Sequence, residues 1–414
     1  MIVIVGAGMA GLACATRLEQ AGADWLLLES SGKPGGRVAT EITPDGYLLD
    51  RGFQVLLDSY PTARELLDLQ ALKPGYFRSG ALLAGEHGLE VLLNPLMHPS
   101  GILGDLAARS FSLPQKLALG LYGASRLRAG GQGDGEVGHT ALEELRRHGL
   151  GGDVLEGFLR PFFAGVFLDN DLGTDASVLR NDFRKFAFGR ALLPAEGMGA
   201  IPRQLATRLP HSRQRYGSPV EEVVRSGERV TAIRLASGET VSCDALILAS
   251  EEPVSRRLLG LHAGRSWSRV TTLYFTGVDP LYEGGYLVLP AGRDRLVRHF
   301  ADLTNVVPSY APRGRRLLTA TVLDGGNGID AELIRRAEQQ IAAIFPGFAS
   351  WEFLQRVDVP EALPSQRPGF LADQPARRQG ANLWLAGDQV ARASIDSALA
   401  SGLRAADELL ATLS

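Results

Sequence analysis

Three glycines near the start of the chain have the spacing of a dinucleotide-binding turn. Gly6, Gly8 and Gly11 follow the apolar run at residues 2–5 directly, and helix-forming residues continue through 12–21. In such a turn the first glycine permits the tight bend, the second lets the backbone approach a pyrophosphate, and the third lets helix and strand pack closely. The spacing predicts a dinucleotide at a helix N-terminus; the alternative interpretation is a glycine-rich turn without a ligand.

An acidic residue follows at the place where a ribose would be held. The apolar run at residues 25–28 predicts a second strand, and Glu29 comes directly after it. A carboxylate at this position can accept hydrogen bonds from the ribose hydroxyls. The nucleotide is therefore predicted to be held at both its pyrophosphate and its ribose, which leaves NAD and FAD as candidates.

The C-terminal part of the chain has a second candidate anion site. Residues 383–386 are apolar, Gly387 and Asp388 follow, and a helix is predicted from about Ile395. The first turn of a helix presents free backbone N–H groups and the positive end of the helix dipole. The pattern therefore predicts that this helix N-terminus faces a group that carries or gathers negative charge.

Several segments resemble the superfamily of FAD-dependent amine oxidases and phytoene desaturases, which includes the protoporphyrinogen oxidases. The resemblance lies in Gly35-Gly36-Arg37, in the D-x-G-x-Q segment at residues 50–54, in the strand around Val220 and in Gly387-Asp388. It implies that Arg37 offsets the charge of the diphosphate and that the backbone of Val220 meets the adenine. It also implies that residues 52–54 and the helix after Ile395 adjoin the flavin, and that Asp388 binds the sugar-phosphate or ribityl part.

The cofactor implied by this resemblance is FAD, bound non-covalently. Covalent attachment in the superfamily uses a cysteine near the last motif, and no cysteine follows Cys243. Two residues of the last helix depart from the family: Ser397 is expected to crowd the flavin slightly, and Asp396 to face solvent or cap the helix. The residues predicted to bind FAD are Gly6, Gly8, Met9, Ala10, Gly11, Glu29, Ser30, Gly35, Gly36, Arg37, Gly52, Phe53, Gln54, Val220, Gly387, Asp388, Ser394, Ile395 and Ala398.

The motifs are dispersed along the chain, so the predicted domains are discontinuous. A length of 414 residues exceeds what one hydrophobic core usually supports. The predicted fold class is α/β: a Rossmann-type FAD-binding domain, as in GR2-like flavoproteins, with an inserted α+β substrate domain that has a mixed sheet and a helical cap. The FAD domain is assigned to residues 1–75, 212–262 and 375–414, and the substrate domain to 76–211 and 263–374.

Apolar periodicity predicts the elements of the two insertions. Strands are expected at 270–276, 286–289, 295–300 and 317–323, since these runs are apolar or alternate. An amphipathic helix is expected at 330–345, and further helices at 142–148 and 154–162. A flexible glycine-rich loop is expected at 130–135.

Two departures from the amine oxidases favour the desaturase side of the superfamily. Amine oxidases commonly have a lysine near flavin N5, but Val270 aligns there and none of Lys33, Lys73, Lys116 and Lys185 is near it in sequence. Many also have an aromatic residue before the last helix, where this chain has Ala391-Arg392-Ala393. The resemblance then implies hydride transfer to the flavin from a hydrophobic, isoprenoid-like molecule, with a quinone as the preferred electron acceptor. An amine oxidase is one alternative; a redox-silent lipid carrier, like the GDP-dissociation inhibitors of small GTPases, is the other.

The candidate catalytic residues are Gln54, His299 and Ser365. His299 could be a base, or it could be a structural histidine of a strand. The aromatic side chains at 158, 162, 163 and 167 could line an apolar tunnel or pack in the core.

Composition restricts the class of protein further. A net charge of −3 gives no reason to expect nucleic acid, and two distant cysteines indicate neither a metal site nor a disulfide framework. No signal peptide and no membrane-spanning run are visible, so a cytoplasmic protein is expected. The apolar segment 92–130, with Leu117, Leu121 and Ala124 on one helical face, has two interpretations: a lip that touches a membrane, or a helical cap packed on its own domain.

Overall fold

The computed structural model describes residues 1–98, 109–128, 138–261, 264–323 and 331–413. The loop predicted at 130–135 and part of the apolar segment 92–130 lie outside the described residues. The strands of the described chain are β1 (Ile2–Val5), β2 (Trp25–Leu28), β3 (Thr40–Ile42), β4 (Leu48–Asp50), β5 (Leu56–Leu57), β6 (Gly75–Tyr76), β7 (Gly80–Gly85), β8 (Gly88–Leu93), β9 (Ala191–Leu193), β10 (Gln214–Arg215), β11 (Val220–Ser226), β12 (Arg229–Leu235), β13 (Thr240–Ser242), β14 (Ala245–Leu248), β15 (Trp267–Gly277), β16 (Leu287–Pro290), β17 (Val297–Asp302), β18 (Arg316–Val322), β19 (Glu352–Pro364) and β20 (Leu383–Leu385).

The helices lie between these strands and after them. A short helical segment (Gly152–Val154) and a π-helical turn (Leu155–Leu159) lead directly into the fifth helix. The helices are α1 (Met9–Gln20), α2 (Pro61–Leu66), α3 (Leu113–Arg128), α4 (Ala141–Arg147), α5 (Arg160–Phe167), α6 (Ala176–Phe188), α7 (Ala200–Thr207), α8 (Glu252–Leu259), α9 (Ala331–Ile344) and α10 (Ile395–Leu413).

The first large sheet is a parallel sheet in the order β10-β2-β1-β14-β20. Its strands are buried on both faces: Ile2 and Ile4 pack with helix α1, while Val3 and Val5 pack with the small β11-β12-β13 sheet. A strand covered on both sides needs apolar residues at every position, which explains the unbroken runs in the sequence. The predicted Rossmann-type sheet is confirmed.

Helices α1 and α10 cross closely on one face of this sheet. A Cβ atom on Gly402 of α10 would lie 2.1 Å from the carbonyl oxygen of Ala10. The crossing therefore depends on a residue without a side chain, and it places the N-terminus of the last helix near the glycine turn at the start of the chain.

The second large sheet is mixed, in the order β19-β15-β18-β17-β16-β7-β8. Strand β7 runs parallel to β16, and the other neighbours are antiparallel. One face packs on α9 through its buried stripe of Leu333, Ala337 and Ile341, as the periodicity predicted. The four predicted strands of the second insertion are confirmed within three residues at each end. The hairpin of β7 and β8 and the long strand β19 were not predicted.

A small sheet connects segments that were assigned to different domains. Strand β9 pairs with both β5 and β6, so residues 191–193 join residues 56–57 and 75–76. The FAD domain was predicted to contain residues 56–57 and Gly75, and the substrate domain Tyr76 and residues 191–193. This sheet links the segments assigned to the FAD domain with those assigned to the substrate domain. The domain boundaries remain a prediction.

Candidate functional site

The glycine turn after β1 has the geometry that its spacing predicted. Gly6 has a φ of +104°, a region that favours glycine, and a Cβ on Gly11 would lie 1.8 Å from the carbonyl oxygen of Gly6. A Cβ on Gly8, in contrast, would meet nothing within 4 Å. The first and third glycines thus allow the bend and the packing of α1, and the second leaves open space beside the backbone.

Glu29 is held in place by hydrogen bonds from backbone N–H groups. One carboxylate oxygen accepts from the Ala7 N–H at 2.7 Å, and the other accepts from the Ser31 N–H at 2.8 Å. The side chain is 8% exposed and lines the same cavity as Ser30 and Gly8. These bonds orient the carboxylate at the end of β2, next to the glycine turn.

The two ends of the chain meet at an ion pair. The Arg37 guanidinium lies 2.6 Å from a carboxylate oxygen of Asp388 and also donates to the carbonyl of Ala362 at 3.0 Å. Glu251 lies 3.7 Å from the same guanidinium. A charge-assisted contact of this kind is short and directional, so the segment after Glu29 and the segment after β20 are fixed against each other.

Asp50 anchors the segment that leads into Gly52. One of its carboxylate oxygens accepts from the Met198 N–H at 2.9 Å, and the other from the Tyr310 hydroxyl at 2.7 Å. Its backbone carbonyl accepts from the Tyr274 hydroxyl at 2.8 Å. Burial raises the pKa of the Asp50 carboxyl to about 6, and these hydrogen bonds oppose the rise only in part.

The raised pKa of Asp50 predicts how stability depends on pH. Between the usual Asp pKa of 3.8 and the folded value of about 6, the folded chain keeps a proton that the unfolded chain has released. The free energy of unfolding should therefore fall as pH rises through this window. Asp50→Asn lacks this titration, so the difference in unfolding free energy between wild type and variant should shift by roughly 1–3 kcal/mol from pH 4 to pH 6. Urea unfolding at each pH measures it, and a constant difference would contradict the assignment.

One cavity of about 1420 Å³ connects the predicted cofactor residues. All the residues predicted to bind FAD line it except Gly11, which lies beneath the turn and packs against Gly6. The volume exceeds that of the usual small-molecule pocket, which is roughly 300–1,000 Å³. It has room for a dinucleotide and for a second molecule beside it.

The far arm of this cavity, beside helices α3, α5 and α6, is lined mainly by apolar side chains. Phe158, Phe162 and Phe163 of the segment leading into and through α5 line it, whereas Phe167 stacks on Phe163 at 5.3 Å behind the wall. Both interpretations of the aromatic segment therefore hold, for different members. Phe111, Phe183 and Phe186 also line the arm and were missed, since they come from separate segments of the chain.

The structure separates the three candidate catalytic residues. Gln54 lines the cavity, but its amide donates to the Arg37 carbonyl at 2.8 Å and the Arg51 carbonyl at 2.9 Å, so it braces the loop. Ser365 lies just after β19, where its N–H donates to the Ser266 carbonyl, and it is not among the residues that line the cavity. His299 does line the cavity.

His299 lies between the Gly52 segment and helix α5. Its ring is 5.3 Å from the ring of Phe53, and a Cβ on Gly165 of α5 would lie 2.0 Å from its Cε1. Burial lowers the pKa of His299 to about 4, and the nearby Pro161 backbone offsets this only in part. Neither ring nitrogen makes a hydrogen bond of ordinary geometry with the described residues. The imidazole is therefore neutral near pH 7 and can accept a proton.

Two other titratable groups of the cavity were not found from the sequence. Asp182 of α6 lines it, and burial raises the pKa of this carboxyl to about 6 against the opposing effect of Lys185. Lys116 of α3 lines it as well. Helical periodicity alone gives no signal for them, because it does not show which helix face meets the cavity. Val270, at the place where amine oxidases commonly have a lysine, lines the cavity next to Gly52.

The last helix differs from expectation at two residues. Ile395 and Ala398 line the cavity, but Ser397 does not; its hydroxyl meets that of Ser394 at 2.9 Å, so the predicted crowding is not supported. Asp396 is 6% exposed and accepts from the N–H groups of Thr62 and Ala63 at 2.8 and 3.0 Å. The expectation that it faces solvent or caps its own helix is wrong, because it caps α2.

The exposed face of α3 bears the apolar side chains that the sequence singled out. Leu117 and Leu121 are 59% and 72% exposed, whereas Ala124, which was predicted to lie on the same face, lines the cavity together with Leu119 and Gly123. No helix in the described part of the chain is both long and apolar enough to cross a membrane.

The family model described as flavin containing amine oxidoreductase matches residues 9–410. The chain is 29% identical to a phytoene dehydrogenase of Streptomyces griseus over 63% of this chain and 56% of that one. It is also 29% identical to a hydroxyneurosporene desaturase of Cereibacter sphaeroides over 59% of this chain and 55% of that one. The alignments thus span about half the length of these curated relatives.

A solved structure shows the same fold at lower identity. Putrescine oxidase bound to putrescine superimposes with a TM-score of 0.75 and 16% identity, over 99% of this chain and 98% of that chain. At this identity the likeness concerns the fold.

Proposed function

The chain belongs to the family of flavin-containing amine oxidoreductases, and we propose that it is an FAD-dependent dehydrogenase or desaturase of a hydrophobic, isoprenoid-like molecule. The observation that carries this proposal is the single cavity that runs from the dinucleotide turn to an arm walled by Phe158, Phe162 and Phe163. Such a wall binds by apolar area rather than by polar contacts. The relatives named phytoene dehydrogenase and hydroxyneurosporene desaturase act on molecules of this kind.

The residues around the glycine turn fit FAD. The open space at Gly8 admits a diphosphate, the oriented Glu29 carboxylate can accept from a ribose, and Arg37 carries the opposite charge. We propose that the cofactor is held without a covalent bond. Cys14 is buried in α1, where its Sγ lies 3.1 Å from the Gly402 carbonyl, and Cys243 is buried too; neither is among the residues that line the cavity.

Glu29→Ala should weaken FAD binding by roughly 1.5–3 kcal/mol, or ~10–100-fold, because it removes hydrogen bonds to a charged acceptor. Titration of the variant with FAD measures this. Glu239→Ala, which removes an exposed carboxylate paired with Arg215, is the matched control and should not change the affinity. An unchanged affinity of Glu29→Ala would refute the role of this residue.

His299 is the proton acceptor in this proposal. A bound flavin supplies the acceptor for a hydride from one carbon of the substrate. The neighbouring C–H bond then becomes strongly acidic, so even a weak base can take its proton as the double bond forms. The neutral imidazole of His299 lines the cavity beside Phe53 and can hold that proton.

Two other activities are disfavoured by particular residues. Val270 has no amine to bring a water to a flavin, which disfavours amine oxidation. A redox-silent carrier would not need Glu29, Arg37 and Asp388 together at one end of the cavity. As electron acceptor we propose a quinone, since it is lipophilic like the arm that leads to the site.

We also propose that α3 touches a membrane surface and lets the substrate enter. Leu113, Leu117 and Leu121 are exposed on one face, and Leu119, Gly123 and Ala124 of the same helix line the cavity. The protein should therefore sediment with lipid vesicles. The double variant Leu117→Glu, Leu121→Glu should bind vesicles roughly 10-fold more weakly or worse. The control is Ile42→Glu, which replaces an exposed apolar residue distant from α3 in sequence and should bind like the wild type. Equal sedimentation of both variants would exclude this face.

One spectrum tests the cofactor and a second tests the reaction. The purified protein should be yellow, and acid precipitation should release the colour into solution. Anaerobic addition of an isoprenoid substrate should bleach the flavin, a quinone should restore it, and common primary amines should do neither. Yellow colour that stays in the pellet would contradict non-covalent binding. Rapid hydrogen peroxide production with simple amines would instead identify the activity as amine oxidation.

A further inference from the structure

A row of three polar side chains crosses the cavity face of the mixed sheet. Thr272 on β15 is paired with Thr321 on β18, and Thr321 is paired with His299 on β17. Paired residues on neighbouring strands point to the same face, about 5 Å apart. The residues on the strands that flank the row, Val357 on β19 and Leu287 on β16, are apolar and line the cavity. The row is thus a polar patch between apolar neighbours.

The two threonine hydroxyls are buried and have no partner. Thr272 and Thr321 are 0% and 2% exposed, and neither Oγ1 has a hydrogen-bond partner among the described residues. Buried polar atoms are normally hydrogen-bonded, because desolvation of an unpaired hydroxyl lowers stability by roughly 1–3 kcal/mol. Valine has the same shape and would avoid this. Of the unpartnered threonines on these strands, Thr272, Thr319 and Thr321, only Thr321 lines the cavity, so its hydroxyl is the one to which a bound molecule can supply a partner.

The row lies directly beneath the segment predicted to adjoin the flavin. A Cβ on Gly52 would lie 3.9 Å from Thr272 Oγ1, and Phe53 contacts His299. Thr321 itself lines the cavity. Thr321 and His299 are paired on neighbouring strands and line the same cavity, so a molecule that reaches His299 lies beside the Thr321 hydroxyl.

We propose that Thr321 binds an oxygen atom, a hydroxyl or a carbonyl, at the end of the isoprenoid that enters the cavity. A threonine hydroxyl can both donate and accept a hydrogen bond, so Thr321 suits either group. An oxygen bound to Thr321 lies one strand away from His299. The carbon that gives up its proton to His299 is then expected to be only a few bonds from that oxygen. This inference rests on the proposed function for the reaction, but the binding preference itself can be measured without turnover.

The binding of farnesol and farnesene tests the role of Thr321, because these two ligands share an isoprenoid skeleton and differ by a hydroxyl group. The wild type should bind farnesol at least about 10-fold more tightly, measured by calorimetric titration and by the rise in Tm. Thr321→Val should reduce farnesol affinity roughly 5- to 30-fold and leave farnesene affinity equal or higher. Thr319→Val is the matched control: it lies on the same strand and face, is not among the cavity-lining residues, and should leave both affinities unchanged.

A second arm identifies the source of the oxygen. A short-chain ubiquinone is titrated in parallel. If Thr321→Val loses affinity for farnesol, Thr321 binds the substrate, as proposed. If the variant loses affinity for the ubiquinone alone, Thr321 binds the electron acceptor and the proposal is wrong about the substrate. Equal binding of farnesol and farnesene by the wild type, weak or absent binding included, would overturn the proposal, as would a Thr321→Val variant that leaves every affinity unchanged. If the protein binds no flavin, the proposed function is refuted but the role of Thr321 is not, since the binding of farnesol and farnesene is measured without the flavin.

Discussion

Gly8→Ala should greatly weaken FAD binding and leave the fold intact, whereas Gly11→Ala should destabilise the fold itself. A Cβ at residue 8 meets nothing within 4 Å, so the polypeptide accommodates it, but the methyl group occupies the space open to a diphosphate. A Cβ at residue 11 would lie 1.8 Å from the Gly6 carbonyl oxygen, which forces α1 away from β1. Substitutions at two glycines three residues apart are thus expected to impair different properties: cofactor affinity at Gly8 and stability of the fold at Gly11.

The magnitudes follow from these contacts. Gly8→Ala should lower FAD affinity by roughly 10–100-fold or more with a free energy of unfolding within ~0.5 kcal/mol of wild type. Gly11→Ala should lower the free energy of unfolding by roughly 1–3 kcal/mol or more, as overpacking of a close contact does. FAD titration and urea unfolding without added FAD separate the two effects. Normal FAD affinity in Gly8→Ala would show that the diphosphate lies elsewhere.

His299→Phe should slow flavin reduction by the substrate roughly 10²–10⁴-fold, the usual contribution of a positioned base. Phenylalanine keeps the aromatic packing against Phe53 and Gly165 but cannot accept a proton. FAD content and the free energy of unfolding should stay near wild type. Stopped-flow measurement of flavin bleaching under anaerobic conditions gives the rate.

The pH profile gives an independent test of the same residue. Because the pKa of His299 is lowered to about 4, the imidazole is neutral above that value and the rate should be independent of its titration at pH 6–8. Below about pH 5 the imidazolium forms and the rate should fall. Gly165→Ala provides a positional control, since its Cβ would lie 2.0 Å from His299 Cε1 and must displace the ring. A wild-type rate in His299→Phe would leave the imidazole a structural role only.

Features that depend on neighbours in the chain could be predicted from the sequence. The glycine turn, Glu29 at the end of β2 and the start of α10 at Ile395 follow from short patterns, because a tight bend, a strand end and a helix start are decided by a few adjacent residues. Strands β15, β16, β17 and β18 of the mixed sheet were found for the same reason, although β7, which is also apolar, was missed. Strand β19 was not, since its mixed residues at 352–364 become a strand only through pairing with β15.

Features that depend on contacts between distant segments were decided by the tertiary structure. Asp396 caps α2, over three hundred residues earlier in the chain, and Ser365 ends outside the cavity although its neighbours Ala362 and Leu363 line it. Thr272, Thr321 and His299 form one row only because three strands pair in a particular register.

The sequence by itself determined the glycine turn after β1, the carboxylate at the end of β2 and the start of the last helix, and so predicted a dinucleotide, a ribose contact and a second anion site, since each pattern is written in a few consecutive residues. The tertiary structure alone decided that these sites open into one cavity, that the cavity has a mainly apolar arm, and that the unpartnered hydroxyl of Thr321 lies beside a neutral histidine within it. The physical reason is the range of the interactions. Backbone conformation is set locally, whereas burial, pKa and the direction of a side chain depend on segments that meet only in the folded chain.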